Sequence, residues 1–107
     1  MTLLVTRDGK PIDKLFLEKK AKFMLGTLPI NDFHLQHPSI SKLHASIYFA
    51  PHGVLMLVDL GSSHGTVLKR EGEKGGKIDS LMPVQIKSGD IITFGLSSRH
   101  YTIQISK

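Results

Sequence analysis

The chain has 107 residues, 40% hydrophobic and 21% charged, with a formal net charge of +5 and no cysteine. That length fits one domain, 1–107, with one core; no apolar run reaches the roughly 18–20 residues of a membrane span, and without cysteine the core is not stapled by disulfides, as fits an intracellular protein. The positive excess would attract nucleic acid, anionic lipid or a phosphorylated partner, but the basic residues are dispersed, apart from Lys19, Lys20 and Lys22 and the acid-mixed stretch Lys69 to Lys77, whereas a nucleic-acid footprint clusters on one face.

Short apolar runs alternate with turn signals along the chain. Leu3 to Val5, too short for a signal-peptide core, is followed by Asp8-Gly9-Lys10-Pro11, a hairpin-type turn. Asp13 to Leu25 is undecided by periodicity: Leu17, Ala21, Met24 and Leu25 share a helical face that Asp13 can cap, yet Phe23 to Leu25 also forms a short apolar run ending at Gly26. Asn31-Asp32 makes a turn before Phe33-His34-Leu35. Ala45, Ile47 and Phe49 alternate with Ser46 and Tyr48, which gives one apolar face. Pro51-His52-Gly53 breaks that run, and the continuous apolar stretch Val54 to Val58 predicts a strand buried on both sides.

Glu71 to Lys77, rich in glycine and charge, predicts a flexible loop. Ser88-Gly89-Asp90 turns into Ile91-Ile92-Thr93-Phe94. Near the end, Tyr101, Ile103 and Ile105 face one way, with Thr102 and Gln104 on the other. Turn signals this closely spaced predict an all-β sandwich or barrel.

Gly61-Ser62-Ser63-His64-Gly65 matches the hydrolase pattern G-x-S-x-G, but that pattern has meaning only on a strand-turn-helix elbow. Here the β-like segment Thr66-Val67-Leu68 follows, and the spacing of His44 and Asp59 does not support them as triad partners. Gly72 to Ile78 fails as a phosphate-binding Walker loop, because Ile78 stands where Ser or Thr is required. His34 and His37 are three apart, with neither cysteine nor a dense acidic cluster to complete a metal site. No metal, cofactor or catalytic set is predicted. The ring nitrogens of His44, just before a strand, can tie neighbouring loops together.

Two segments remain, Ser41-Lys42-Leu43-His44 and Asp59-Leu60-Gly61-Ser62-Ser63-His64-Gly65-Thr66. Hydroxyls, a cation and glycine-shaped backbone on loops suit an anion such as phosphate. With Leu25-Gly26 before them and Ser88-Gly89-Asp90-x-Ile92-x-Phe94-Gly95 after, they resemble the forkhead-associated (FHA) domain, over about residues 23–105. The His-Gly-Thr variant and the ending Phe94-Gly95-x-Ser97-x-Arg99-x-Tyr101 look closest to the subfamily seen in nuclear phosphatase-inhibitor and RNA-splicing proteins, which implies a nuclear location.

The resemblance implies an FHA-type β-sandwich of two twisted sheets with about 11 strands and binding loops at one end, and makes Asp13 to Leu25 two strands rather than a helix. It implies a non-enzymatic module without cofactor that binds a threonine-phosphorylated protein. By it, Ser41 bonds the phosphate with help from Lys42, Ser63 lies at the phosphopeptide, and His64 stands where an Asn holds the peptide backbone. Gly26, His44, Asp59 and Gly65 shape the loops. The family Arg that grips phosphate is replaced here by Thr27, and a lost charged hydrogen bond costs about 1.5–3 kcal/mol. Lys42 or Lys22 can offset it only as a point charge. That substitution raises the alternative of a phosphorylation-independent scaffold, held to a constitutive protein partner through a sheet face or edge. Binding to nucleic acid through the net charge ranks below both.

Overall fold

Asp8 and Gly9, with positive φ of 53° and 77°, make the tight turn that joins β1 (Thr2–Arg7) to β2 (Lys10–Phe16). Two consecutive left-handed residues match the twist of an antiparallel pair. The computed structural model describes residues 1–18 and 20–105, so Lys19 of the basic cluster lies outside it. The remaining strands are β3 (Lys22–Gly26), β4 (Phe33–His34), β5 (Ala45–Ala50), β6 (Val54–Asp59), β7 (Thr66–Lys69), β8 (Gly76–Lys77), β9 (Val84–Ile86), β10 (Ile91–Phe94) and β11 (Arg99–Gln104), with one 3-10 turn at Pro51–Gly53.

These 11 strands form a six-stranded sheet, β2-β1-β11-β10-β7-β8, and a five-stranded sheet, β4-β3-β5-β6-β9. All pairs are antiparallel except β3 with β4. Of the sandwich or barrel expected from the turn spacing, the sandwich, which the family resemblance also implies, is the observed fold. Asp13 to Leu25 forms the second half of β2 and most of β3; among its described residues Leu17, just past β2, and Phe23 and Leu25, alternate positions of β3, are the buried ones, not a helical stripe.

Inward residues of both sheets fill the core. Leu3, Val5, Ile92, Phe94, Tyr101 and Ile103 come from one sheet, and Phe23, Leu25, Ala45, Ile47, Leu55, Leu57 and Ile86 from the other. β6 alternates rather than being buried on both sides: Leu55 and Leu57 point inward, while Val54, Met56 and Val58 are half-buried. A sandwich covers only one face of each sheet, so its central strands keep an outer face. Ile105 lies past the end of β11 and is 42% exposed, unlike Tyr101 and Ile103. Gly76 and Lys77, expected in a loop, pair as β8 with Leu68 and Val67 of β7.

The strands run so that the ends of β3, β6 and β10 and the starts of β5 and β7 share one end of the sandwich. The bonds from His44 N–H to the Leu25 carbonyl (2.9 Å) and from Gly95 N–H to the Gly65 carbonyl (2.9 Å) close that end.

Candidate functional site

Segments 27–32, 35–44 and 60–65 meet at this end. The first two are joined along their backbones. Thr27 N–H donates to the Ser41 carbonyl (3.2 Å), and Leu28 N–H to the Lys42 carbonyl (3.3 Å). Asn31 staples them further: its amide nitrogen donates to the carbonyls of Lys42 (2.8 Å) and Leu28 (2.9 Å). The approach is close because residue 26 is glycine; a β-carbon there would stand 2.2 Å from the Lys42 carbonyl oxygen. Two anchored carbonyls thus leave the side chains of half-buried Thr27 and exposed Lys42 at the surface.

Asp59, at the end of β6, organises the third segment. It is 3% exposed, and its Oδ1 accepts the N–H groups of Gly61 and Ser62, both at 2.9 Å. Its Oδ2 accepts the hydroxyls of Ser62 (2.6 Å) and Thr66 (2.7 Å). Ser62 Oγ in turn accepts Gly65 N–H at 3.0 Å. Burial pushes the Asp59 carboxyl up, but the bonds from the Ser62 and Thr66 hydroxyls and the two N–H groups outweigh it, and the carboxyl sits below its ordinary range. Ser62 is therefore internal scaffolding, and Ser63 and His64 are the residues left exposed at the tip.

His44 couples the two walls. It is fully buried, edge-on to Phe94 at 5.6 Å. Its Nδ1 accepts Ser41 N–H (3.0 Å), which leaves the proton on Nε2 to donate to the Gly65 carbonyl (2.9 Å). Burial holds its pKa below the ordinary histidine value; the Gly65 carbonyl and the Asp59 charge oppose that, and nearby His64 adds to it. With both nitrogens occupied by backbone groups, His44 has no lone pair with which to activate Ser63. The G-x-S-x-G match thus has no base beside it.

The second link is direct: Ser41 Oγ accepts Ser63 N–H at 3.1 Å. An accepting hydroxyl keeps its own proton, so Ser41 can still donate to a ligand. The structure brings Ser41, Lys42, Ser63, His64 and Thr27 to one end of the sandwich, on a frame made by Gly26, His44, Asp59 and Gly65.

Three contributors escape a reading of the sequence alone. Asn31 is part of a turn dipeptide, and nothing local marks it as a staple. Ser39 Oγ accepts Leu96 N–H at 2.7 Å and approaches Gly95, where a β-carbon would meet it at 2.6 Å; this contact joins segment 35–44 to the end of β10. Lys77 lies across Gly65: a β-carbon there would stand 3.0 Å from its Cδ and 3.2 Å from its Cε.

Comparison with known proteins agrees with the architecture. A family model described as FHA domain matches residues 23–95. The nuclear inhibitor of protein phosphatase 1 from Homo sapiens is 32% identical over 102 residues, covering 94% of this chain and 28% of that protein, so the chain spans little more than a quarter of that relative. The solution structure of the FHA domain of TbPar42 is 36% identical with a TM-score of 0.74, covering 99% of this chain and 57% of that one. The N-terminal FHA domain of Rad53p from S. cerevisiae, solved with a phosphothreonine peptide, has the same fold with a TM-score of 0.77 at 24% identity, over 99% of this chain and 94% of that one.

Proposed function

The chain belongs to the FHA domain family, and on that premise we propose that it recruits a threonine-phosphorylated protein through Ser41, Lys42, Ser63 and His64, with Thr27 at the same site. FHA domains are in general non-catalytic modules that bind phosphothreonine. The observation that carries the proposal is the contact between Ser41 Oγ and Ser63 N–H. It holds two hydroxyl-bearing loops side by side with the Ser41 proton unused. A phosphate brings nearly two negative charges and three acceptor oxygens; the Ser41 and Ser63 hydroxyls can donate to it and Lys42 can supply charge. His64 offers the peptide backbone a donor, without the paired donor and acceptor of an amide. By likeness to the phosphatase inhibitor, the place of action is the nucleus.

Calorimetry with phosphothreonine peptides and their unphosphorylated twins tests this. Binding confined to the phosphorylated members is the expected result; equal binding of both, or of neither, overturns it.

Thr27 favours one rival, a scaffold whose partner is held without phosphate. The sheet edges oppose it. β4 and β8 have two residues each and β9 three. β2, the long edge, carries Pro11, Lys10 and Lys14, and its register with β1 shifts at Val5/Thr6. Short, charged, proline-bearing and bulged edges resist the addition of another strand. Capture of a partner that survives both phosphatase treatment and Ser41→Ala would favour the scaffold; loss under either favours phosphate recognition.

A further inference from the structure

Lys77 has no place in the phosphate-binding set just described, and the geometry points to a role for it: we infer that Lys77 is a specificity-determining cation, selecting phosphothreonine ligands that carry a second anionic group beside the phosphothreonine. The inference rests on the phosphothreonine reading and refines it. Lys77 sits opposite Val67 in the β7–β8 pair, and Ile78 N–H donates to the Thr66 carbonyl at 2.9 Å, which fixes its register. From that position its methylenes run back across Gly65, two residues nearer the loop end than Val67. Cγ, Cδ and Cε stand 3.4, 3.0 and 3.2 Å from where a β-carbon of Gly65 would be. The bare glycine is what admits the lysine stem. The side chain is thus directed toward the loop tip rather than away from the sheet edge.

Lys77 is exposed, and among the described residues its ammonium forms no ion pair within 4.0 Å, including with Asp79 two residues on. A lysine that lies along apolar surface with its charge in water is in an ordinary state; what distinguishes this one is its location. Gly65 is two residues from Ser63, at most about 7 Å along the chain. With its Cε 3.2 Å from the β-carbon position of Gly65, the charge lies at most about 13 Å from Ser63, a separation comparable to the Debye length of about 8–10 Å. An extended ligand leaving that site at about 3.3 Å per residue covers this separation within about four residues. His64, the residue between Ser63 and Gly65, lies along that path. The partner of Lys77 is then not the gripped phosphate but a neighbouring carboxylate or second phosphate.

The probe is an array of phosphothreonine peptides in which each flanking position is in turn Ala, Asp or phosphoserine, titrated against the wild-type protein and Lys77→Met. Methionine keeps an unbranched stem over Gly65 and removes only the charge. The wild type should favour an acid at one flanking position by about two- to five-fold, the range of an exposed ion pair, with more for phosphoserine than for Asp if phosphate is the natural group. Lys77→Met should erase that preference while binding the all-Ala flanks as before, and added salt should shrink it. An acid preference unchanged in Lys77→Met overturns the inference and leaves the phosphothreonine reading intact. An equal loss for acidic and neutral flanks overturns it as well, by assigning Lys77 to the phosphothreonine itself. If no phosphothreonine peptide binds the wild type, both readings fall.

Discussion

Ser41 Oγ accepts the N–H of Ser63 across 3.1 Å, so the atom proposed to meet the phosphate also ties the two walls of the site together. Ser41→Ala removes both the tie and the ligand donor. Phosphopeptide affinity should fall by about 10- to 150-fold, the value of a hydrogen bond to a charged group. Stability should fall by only about 0.5–1.5 kcal/mol, because the freed N–H is at the surface and water can replace the hydroxyl. Ser63→Ala keeps the tie, which uses backbone, and should lose affinity with less change in melting temperature. Calorimetry and thermal unfolding of the two variants separate the roles; matching profiles would contradict them.

Thr27→Arg restores to the site the guanidinium that the family resemblance leads one to expect. The Thr27 N–H is held by the Ser41 carbonyl whatever the side chain, so the backbone will carry the change. Affinity for a phosphothreonine peptide should rise about ten-fold or more, since a charged bidentate contact is added. An unchanged affinity in a proven binder would move Thr27 away from the phosphate.

Gly26→Ala should destabilise the fold by about 1–3 kcal/mol, as for an overpacked core. Its methyl would stand 2.2 Å from the Lys42 carbonyl oxygen and 2.9 Å from Asn31 Nδ2, atoms that hydrogen bonds already pin. Gly76→Ala, where nothing lies within 4 Å, is the control and should unfold close to the wild-type denaturant midpoint.

Stability should decline with acid, beginning with His44 and continuing through Asp59 at lower pH. Burial first of all keeps the folded His44 pKa below the ordinary 6.5, so the unfolded chain takes up a proton first. The His44 contribution is therefore complete above 6.5 and is lost as pH falls from there through the folded value. Asp59 is likewise depressed below 3.8, and its contribution is lost only as pH falls from there through its own folded value. Denaturant titrations at successive pH values should show a decline below 6.5 in wild type that is smaller in His44→Gln, whatever the cost of that substitution to overall stability.

The strands were legible because alternation and turn residues are local signals: Asp8-Gly9 and Ser88-Gly89 mark their turns in the sequence itself. Asp13 to Leu25 was ambiguous because four apolar residues at helical spacing also satisfy a strand, a bend and a second strand, and only pairing with β1 and β5 decides between them. Val54 to Val58 misled for the opposite reason. A continuous apolar run says how greasy a strand is, not whether anything covers its outer face. At the site, the exposed hydroxyls and His64 could be read from their motifs. Asn31, Ser39 and Lys77 could not, since each acts on a segment far from it in sequence, and no local pattern encodes such a meeting.

The pairing of Thr2 with Gln104 has a mechanical consequence. β1 and β11 are antiparallel neighbours, and these two residues lie at the end of the sandwich remote from the loops. Tension applied through β1 and β11 would enter at that end and peel the pair apart one rung at a time, beginning at Thr2 and Gln104 and reaching Arg7 and Arg99 last. The loop end, tied through His44, would feel such a load only after the zipper had opened.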